Sequence, residues 1–142
     1  MNRRTAAALS VATLFAPLAR AEDSPLKKAF ATARLAGNIE LVIPALRAAQ
    51  LYVVARSPGA PDDINDLYYT PSPKKDGGRM CITVAERDES LAGVSWPKRR
   101  ISGDAILRRL PAAIEVVIVQ PDGGDYLTRE QLQWLREVLR KS

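Results

Sequence analysis

Ser102-Gly-Asp-Ala-Ile-Leu-Arg-Arg-Leu110, Pro111, Glu115-Val-Val-Ile-Val-Gln120, Pro121-Asp-Gly-Gly-Asp125 and Thr128-Arg-Glu-Gln-Leu-Gln-Trp-Leu-Arg-Glu-Val-Leu139 follow one another with short spacers. They read as helix, strand, turn and helix. Ser102 is a side-chain cap, and Asp104 in the first turn suits the positive end of the helix dipole. Ile106, Leu107 and Leu110 recur on one face, and Pro111 stops the helix. Val116 to Val119 is apolar at four consecutive positions, which predicts a strand covered on both faces. Asp122, Gly123, Gly124 and Asp125 read as the turn that follows, and as a candidate binding loop. Thr128 and Gln131 have capping-box spacing, with Leu127 and Leu132 placed as the hydrophobic staple around it. Leu132, Leu135, Val138 and Leu139 then form the buried stripe of the last helix, with Trp134 at its edge.

Upstream, Ser24-Pro25 is a cap followed by proline at the first helical position. Leu26, Ala29, Phe30 and Ala33 make one face, and Gly37 suits the left-handed C-terminal cap. Asn38 caps a second helix with Ile39, Val42, Ile43 and Leu46, which Pro44 should kink or restart. Leu51 to Arg56 is a strand by composition. Residues 57–66 form a loop carrying Asp62, Asp63 and Asp66, read as a solvated turn rather than a calcium loop. Leu67 to Thr70 is a short strand, and residues 71–78 connect it to a return strand, Met80 to Val84. Glu86 to Leu91 suits a helical turn, and Lys98-Arg99-Arg100 a short solvated loop. The order α-α-β-β-β-α-β-α predicts an α+β (mixed α/β) domain: one mixed sheet of about four strands with helices packed on it.

Composition excludes more than it assigns. The chain has 142 residues and no histidine, which removes Ser-His-Asp and Cys-His catalysis and His-ligated metal sites. Cys81 is the sole cysteine, so no intramolecular disulfide forms. A catalytic thiol needs a base or cation beside it to lower its pKa, and a strand-interior cysteine is usually a small core residue. No cofactor or metal is expected.

Residues 1–21 combine a basic start (Arg3, Arg4), an apolar run and the small-x-small pair Ala19 and Ala21. This is the pattern of a secretory signal peptide cleaved after Ala21, and the run is too short for a stable membrane span. The alternative is an amphipathic helix packed on the domain. The expected location is the periplasm or medium, with the cytoplasm as the alternative. Of 21 basic residues three lie in this segment, leaving 18 against 16 acidic ones from position 22 on. The formal +5 of the whole chain therefore falls to near neutrality. That argues against a nucleic-acid partner for Lys98 to Arg100 with Lys74 and Lys75.

From about Ser24 to Leu139 the chain resembles the N-terminal domain of the SseB family of bacterial proteins. The resemblance rests on a Leu- and Ala-rich first helix and a second helix running into Leu51-Tyr52-Val53. It continues with a strand ending Ile82-Thr83, where the family has aromatic-Thr, and a Gly-x-x-Leu-Leu-like helix at Gly103 to Leu107. Gln120-Pro121-Asp122-Gly123 stands where the family has Asn-Pro-Gly, and the closing helix matches at Leu127 to Leu132. Residues 22–142 are then an SseB N-terminal-like domain. The resemblance carries over no catalytic residues. The family takes its name from a serine-sensitivity phenotype, has been linked to type III secretion, and is usually cytoplasmic. Three functions follow as expectations. The first is an exported, non-catalytic protein-binding domain. The second is a cytoplasmic SseB-like protein. The third is a histidine-independent hydrolase using Asp122 with Asp125, or Glu86 with Asp88. For a partner, the loops 57–66 and 120–126 and any exposed strand edge are the expected contact surfaces.

Overall fold

The computed structural model describes residues 24–73 and 78–142. The segment 1–21, with Ala19 and Ala21, and the pair Lys74 and Lys75 lie outside the described residues. Helix α1 spans Pro25–Ala36, capped by the Ser24 hydroxyl and closed by Gly37 at φ 65°. A 3-10 turn, Ile39–Val42, follows its Asn38 cap. Helix α2, Ile43–Ala48, then restarts with Pro44 in its first turn, where the missing amide donor costs no intrahelical bond. Strands β1 (Gln50–Val54), β2 (Thr70–Pro71), β3 (Met80–Ala85) and β4 (Lys98–Ser102) come next, with a 3-10 turn at Asp88–Leu91 before β4. Helix α3 (Gly103–Arg109), the hairpin β5 (Ile114–Gln120) and β6 (Gly123–Leu127), and helix α4 (Arg129–Lys141) complete the chain.

The strands form one sheet in the order β4-β1-β3-β5-β6, with β2 sharing β1's side of β3. The β3–β5 pair is parallel, and the other pairs are antiparallel. A parallel pair needs a crossover. Here the chain leaves β3, runs along the far edge as β4, and returns through α3 to β5. The fold is the mixed α+β arrangement expected, with more strands than the four anticipated.

Two segments differ from expectation. Lys98-Arg99-Arg100 lies in a strand: β4 pairs with β1 along its whole length, from Gln50 opposite Ser102 to Val54 opposite Lys98. Gly123, Gly124 and Asp125 are likewise strand, paired with Gln120, Val119 and Ile118. The turn is confined to Pro121 and Asp122. Local composition hid both strands, one behind a run of charge and one behind a pair of glycines. The expected strand Leu67 to Thr70 contracts to a bridge between Leu67 and Ala55, plus β2.

All four α-helices pack on one face of the sheet. Leu51, Val53, Ile82, Val84, Ile101, Val116, Ile118 and Leu127 point to that face and are buried. They meet Leu26, Phe30, Leu46, Ile106, Leu132 and Leu135 from the helices in one core. Burying these side chains from the unfolded chain stabilises by roughly 1.5–3 kcal/mol each, before entropy is counted. The capping box forms as the spacing predicts, Thr128 accepting from the Gln131 amide and Gln131 reaching back to the Thr128 amide. Arg136 ties α4 to the end of α3, donating to the carbonyls of Leu107 at 2.7 Å and Leu110 at 3.0 Å.

The opposite face is only partly covered. Val54, Ala85 and Leu91 form a small second cluster beside Tyr52, Tyr68, Val94 and Val119. Thr83, Val117, Val119 and Tyr126 are half-buried. The expectation of cover on both faces of β5 is therefore met at Val116 and Ile118 and not at Val117 and Val119. The two kinds of position alternate because successive strand side chains point to opposite faces.

Candidate functional site

The densest polar cluster among the described residues surrounds Glu115, the second residue of β5. Its side chain is fully buried. Four donors converge on it, two on each oxygen. The Ser72 hydroxyl at 2.9 Å and the Tyr126 hydroxyl donate to Oε1. Arg79 Nη1 at 3.0 Å and the backbone amide of Arg129 at 2.9 Å donate to Oε2. Arg129 opens α4, so the carboxylate also sits at the positive end of a helix dipole. Arg79 reaches onward to both oxygens of Glu130 at 2.9 and 2.8 Å. Burial works to raise the Glu115 pKa. The Arg129 amide, the Ser72 hydroxyl and the Arg79 guanidinium outweigh it and hold the carboxyl below its ordinary value.

Chemically this is a clamp. A carboxylate with both oxygens saturated and its pKa depressed is ionised at neutral pH and a poor proton acceptor. It joins the segment after β2, the segment before β3, β6 and the start of α4. Cys81 stands directly across the β3–β5 pair from Glu115. Its thiol lies 3.4 Å from the Thr70 hydroxyl. Burial pushes the thiol pKa up, and the Glu115 charge adds to this, against a smaller opposing effect of the Thr70 hydrogen bond. The thiolate that nucleophilic chemistry needs is thereby disfavoured.

The expected site residues are dispersed. Asp122 pairs with Lys27, which lowers its pKa. Asp125 is buried on the helix side and pairs with Arg34. Asp122 and Asp125 thus anchor the β5–β6 hairpin to α1 and do not face each other across a cleft. Glu86 accepts from the Ser24 hydroxyl at 2.6 Å. Asp88 opens the 3-10 turn.

The basic triplet separates likewise. Lys98 donates to the Val94 carbonyl at 2.7 Å. Arg99 is buried and donates to the carbonyls of Ser57, Asp63 and Asn65 at 2.6 to 2.8 Å. Arg100 lies 5.1 Å from the centre of the Tyr52 ring. Loop 57–66 is pinned rather than free. Beyond the Arg99 contacts, Asp62 accepts the Ser102 amide through its side chain, and its own amide donates to the Arg100 carbonyl at 3.0 Å. The three acidic residues of the loop take different partners, Ser102 for Asp62, Asn65 for Asp63 and Ser57 for Asp66.

Sequence reasoning missed the Glu115 cluster. The available signal was a lone carboxylate opening an otherwise apolar strand, since a buried charge requires partners. On the open face, Tyr68 and Trp96 stack with ring centres 5.0 Å apart beside the Tyr52–Arg100 pair.

No family model, curated protein or solved structure matches the chain. Among the described residues no helix is long and apolar enough to cross a membrane.

Proposed function

We propose that this chain is an exported, non-catalytic accessory domain of the SseB N-terminal-like kind, acting in the cell envelope by binding a protein partner. The observation that carries the proposal is the one-sided cover of the sheet. Its helix side is a closed core, whereas Thr83, Val117, Val119 and Tyr126 stand half-exposed on the other side. The most reactive side chains are committed, Glu115 to its four donors and Cys81 to a buried strand position. The SseB-like reading gains support from Gly103, which opens its Gly-x-x-Leu-Leu-like helix. A Cβ there would lie 1.7 Å from the Leu46 carbonyl oxygen, so the motif glycine has a packing reason. Export rests on the composition of residues 1–21.

The test is intact mass and fractionation of the protein expressed from its own start codon, followed by mild crosslinking in envelope extracts. A mass matching Glu22 to Ser142 in the periplasm or medium, with a specific crosslinked partner, supports the proposal. A full-length product in the cytoplasm rejects export and favours the cytoplasmic roles linked to the SseB family, in serine sensitivity or type III secretion. A histidine-independent hydrolase would use Asp122 with Asp125, or Glu86 with Asp88, as acid and base; Asp122 and Asp125 are each held by a cation, and Glu86 accepts from the Ser24 hydroxyl. Turnover on a hydrolase panel, lost in Asp122→Ala, would reinstate that reading.

A further inference from the structure

The open face of the sheet carries an aromatic patch where β1 ends and β4 begins. Tyr68 and Trp96 stack with their ring planes 28° apart, and Trp96 is 39% exposed. Backbone bonds fix the patch to the sheet. The Tyr68 amide donates to the Val54 carbonyl at 3.1 Å, and the Ala55 amide to the carbonyl of Pro97, the neighbour of Trp96, at 2.9 Å. A cleft of about 230 Å³ is lined by Arg56, Leu67, Tyr68, Tyr69 and Trp96. Tryptophan, tyrosine and arginine are the residue types that dominate binding energy at protein interfaces.

The charge of the patch has one sign. Arg56 lines the cleft, and no carboxylate does. Its side chain is exposed and has no ion pair or hydrogen bond among the described residues. The Asp66 carboxylate, next in sequence to Leu67, is taken by the Ser57 hydroxyl at 2.6 Å. Arg100 stands outside the cleft, exposed, over the ring of Tyr52, its partner across the β1–β4 ladder. Tyr52 and Arg56 are four residues apart on an extended chain, so up to about 13 Å separates the two arginine positions. The stack lies between them, at the level of Val54 and Ala55.

We propose that this cleft docks a segment of a partner protein rich in proline and glutamate or aspartate, bound as a polyproline II helix. This rests on the partner-binding reading above and names its surface. Aromatic-lined grooves take such helices because the chain is preformed and loses little entropy on docking. Its rise sets side chains three or four positions apart at about 9–12 Å, a span that lets two carboxylates meet Arg56 and Arg100 while prolines cover the rings between. A single-stranded nucleic acid would need a cationic track along its phosphates. Lys98 and Arg99 do not supply one, since Lys98 donates to the Val94 carbonyl and Arg99 is buried.

The test uses the full chain and a fluorescent peptide that repeats one glutamate and three prolines, followed by anisotropy. The expected result is saturable binding at least about tenfold tighter than that of two control peptides, one with lysine for glutamate and one with serine for proline. Trp96→Ala should weaken binding about tenfold or more, as loss of an aromatic anchor. Arg56→Glu should weaken it about fivefold or more through like-charge repulsion. Because Arg56 is exposed and unpaired among the described residues, that variant should melt as the parent does. Equal binding of the glutamate and lysine peptides, or unchanged binding by an Arg56→Glu protein of parental stability, overturns the proposal. So does tighter binding of a single-stranded oligonucleotide, or a dimer in sedimentation that Trp96→Ala dissociates, since the patch would then belong to nucleic acid or to a second copy. If envelope crosslinking captures a partner whose contacts map away from Trp96 while the peptide fails to bind, the cleft fails as the site and the partner-binding reading stands. If neither binds, both fail.

Discussion

The backbone of Gly103 meets that of Leu46 so closely that a side chain at 103 has no room: a Cβ would lie 2.7 Å from the Leu46 carbonyl carbon as well as against its oxygen. This contact sets the distance between α2 and the start of α3, and the Gly103 amide donates to the Ala49 carbonyl at 3.0 Å across the same junction. Because the obstacle is backbone, no rotamer change relieves it. Gly103→Ala should lower unfolding stability by about 3 kcal/mol, at the upper end of overpacking costs. Urea denaturation is the measurement, and a loss under about 1 kcal/mol would show that the helices slide apart freely.

Glu115→Gln removes the charge that Arg79 and the α4 amide face in a buried site. A loss of about 3 kcal/mol is expected, because breaking a buried pair leaves the remaining charge uncompensated. The backbone pairing of β5 and the capping box are left unchanged, so the far-ultraviolet spectrum should stay native in form.

The pH dependence follows from the same residue. The folded-state pKa of Glu115 lies below its ordinary value of 4.5, against burial, through the Arg129 amide, Ser72 and Arg79. Its contribution is thus fully present above the unfolded-state value and is lost as pH falls through the folded one. Stability measured from pH 7 downward should decline mainly below about 4.5. The decline should be shallower in Glu115→Gln. Identical slopes in the two proteins would assign the acid sensitivity to other carboxylates, such as Asp104, which Arg47 and Arg108 hold low.

Cys81 is buried and its pKa is raised by that burial. At pH 8 its reaction with a disulfide reagent should be at least about 100-fold slower in the native protein than in urea. Stopped-flow absorbance gives both rates. Comparable rates would mean that the β2–β3 region opens readily.

Arg99 holds loop 57–66 through three carbonyls, and its guanidinium fills the space beside Gly59, where a Cβ would lie 2.5 Å from Nε. Arg99→Lys keeps the charge and loses the planar fork. The loop should then become protease-sensitive and its amides exchange faster, with a global loss of about 1–2 kcal/mol. An unchanged exchange pattern would show that Asp62 alone holds the loop.

What was legible in the sequence divides by range. The caps at Ser24, Ser102 and Thr128 were readable because a cap is written within about four residues of its helix. The return strand from Met80 to Val84 was likewise readable from its local composition. Strand β4 was hidden because Arg99 is buried through carbonyls some 40 residues earlier, and a charge run alone looks solvated. The Glu115 cluster was hidden because its side-chain partners lie 43, 36 and 11 residues away. Strand β6 was hidden by Gly123 and Gly124, which signal a turn locally. Only the register with β5 shows that Gly124 sits where a side chain would strike the Ile118 carbonyl oxygen.

The closed β4 edge limits how far this protein can grow. A sheet with an open edge can be extended by a further strand at that edge. Here the β4 end is occupied by residues 57–66 of the same molecule, the Asp62 amide and carboxylate taking the Arg100 carbonyl and the Ser102 amide. Growth through that edge therefore requires the protein first to give up its own loop.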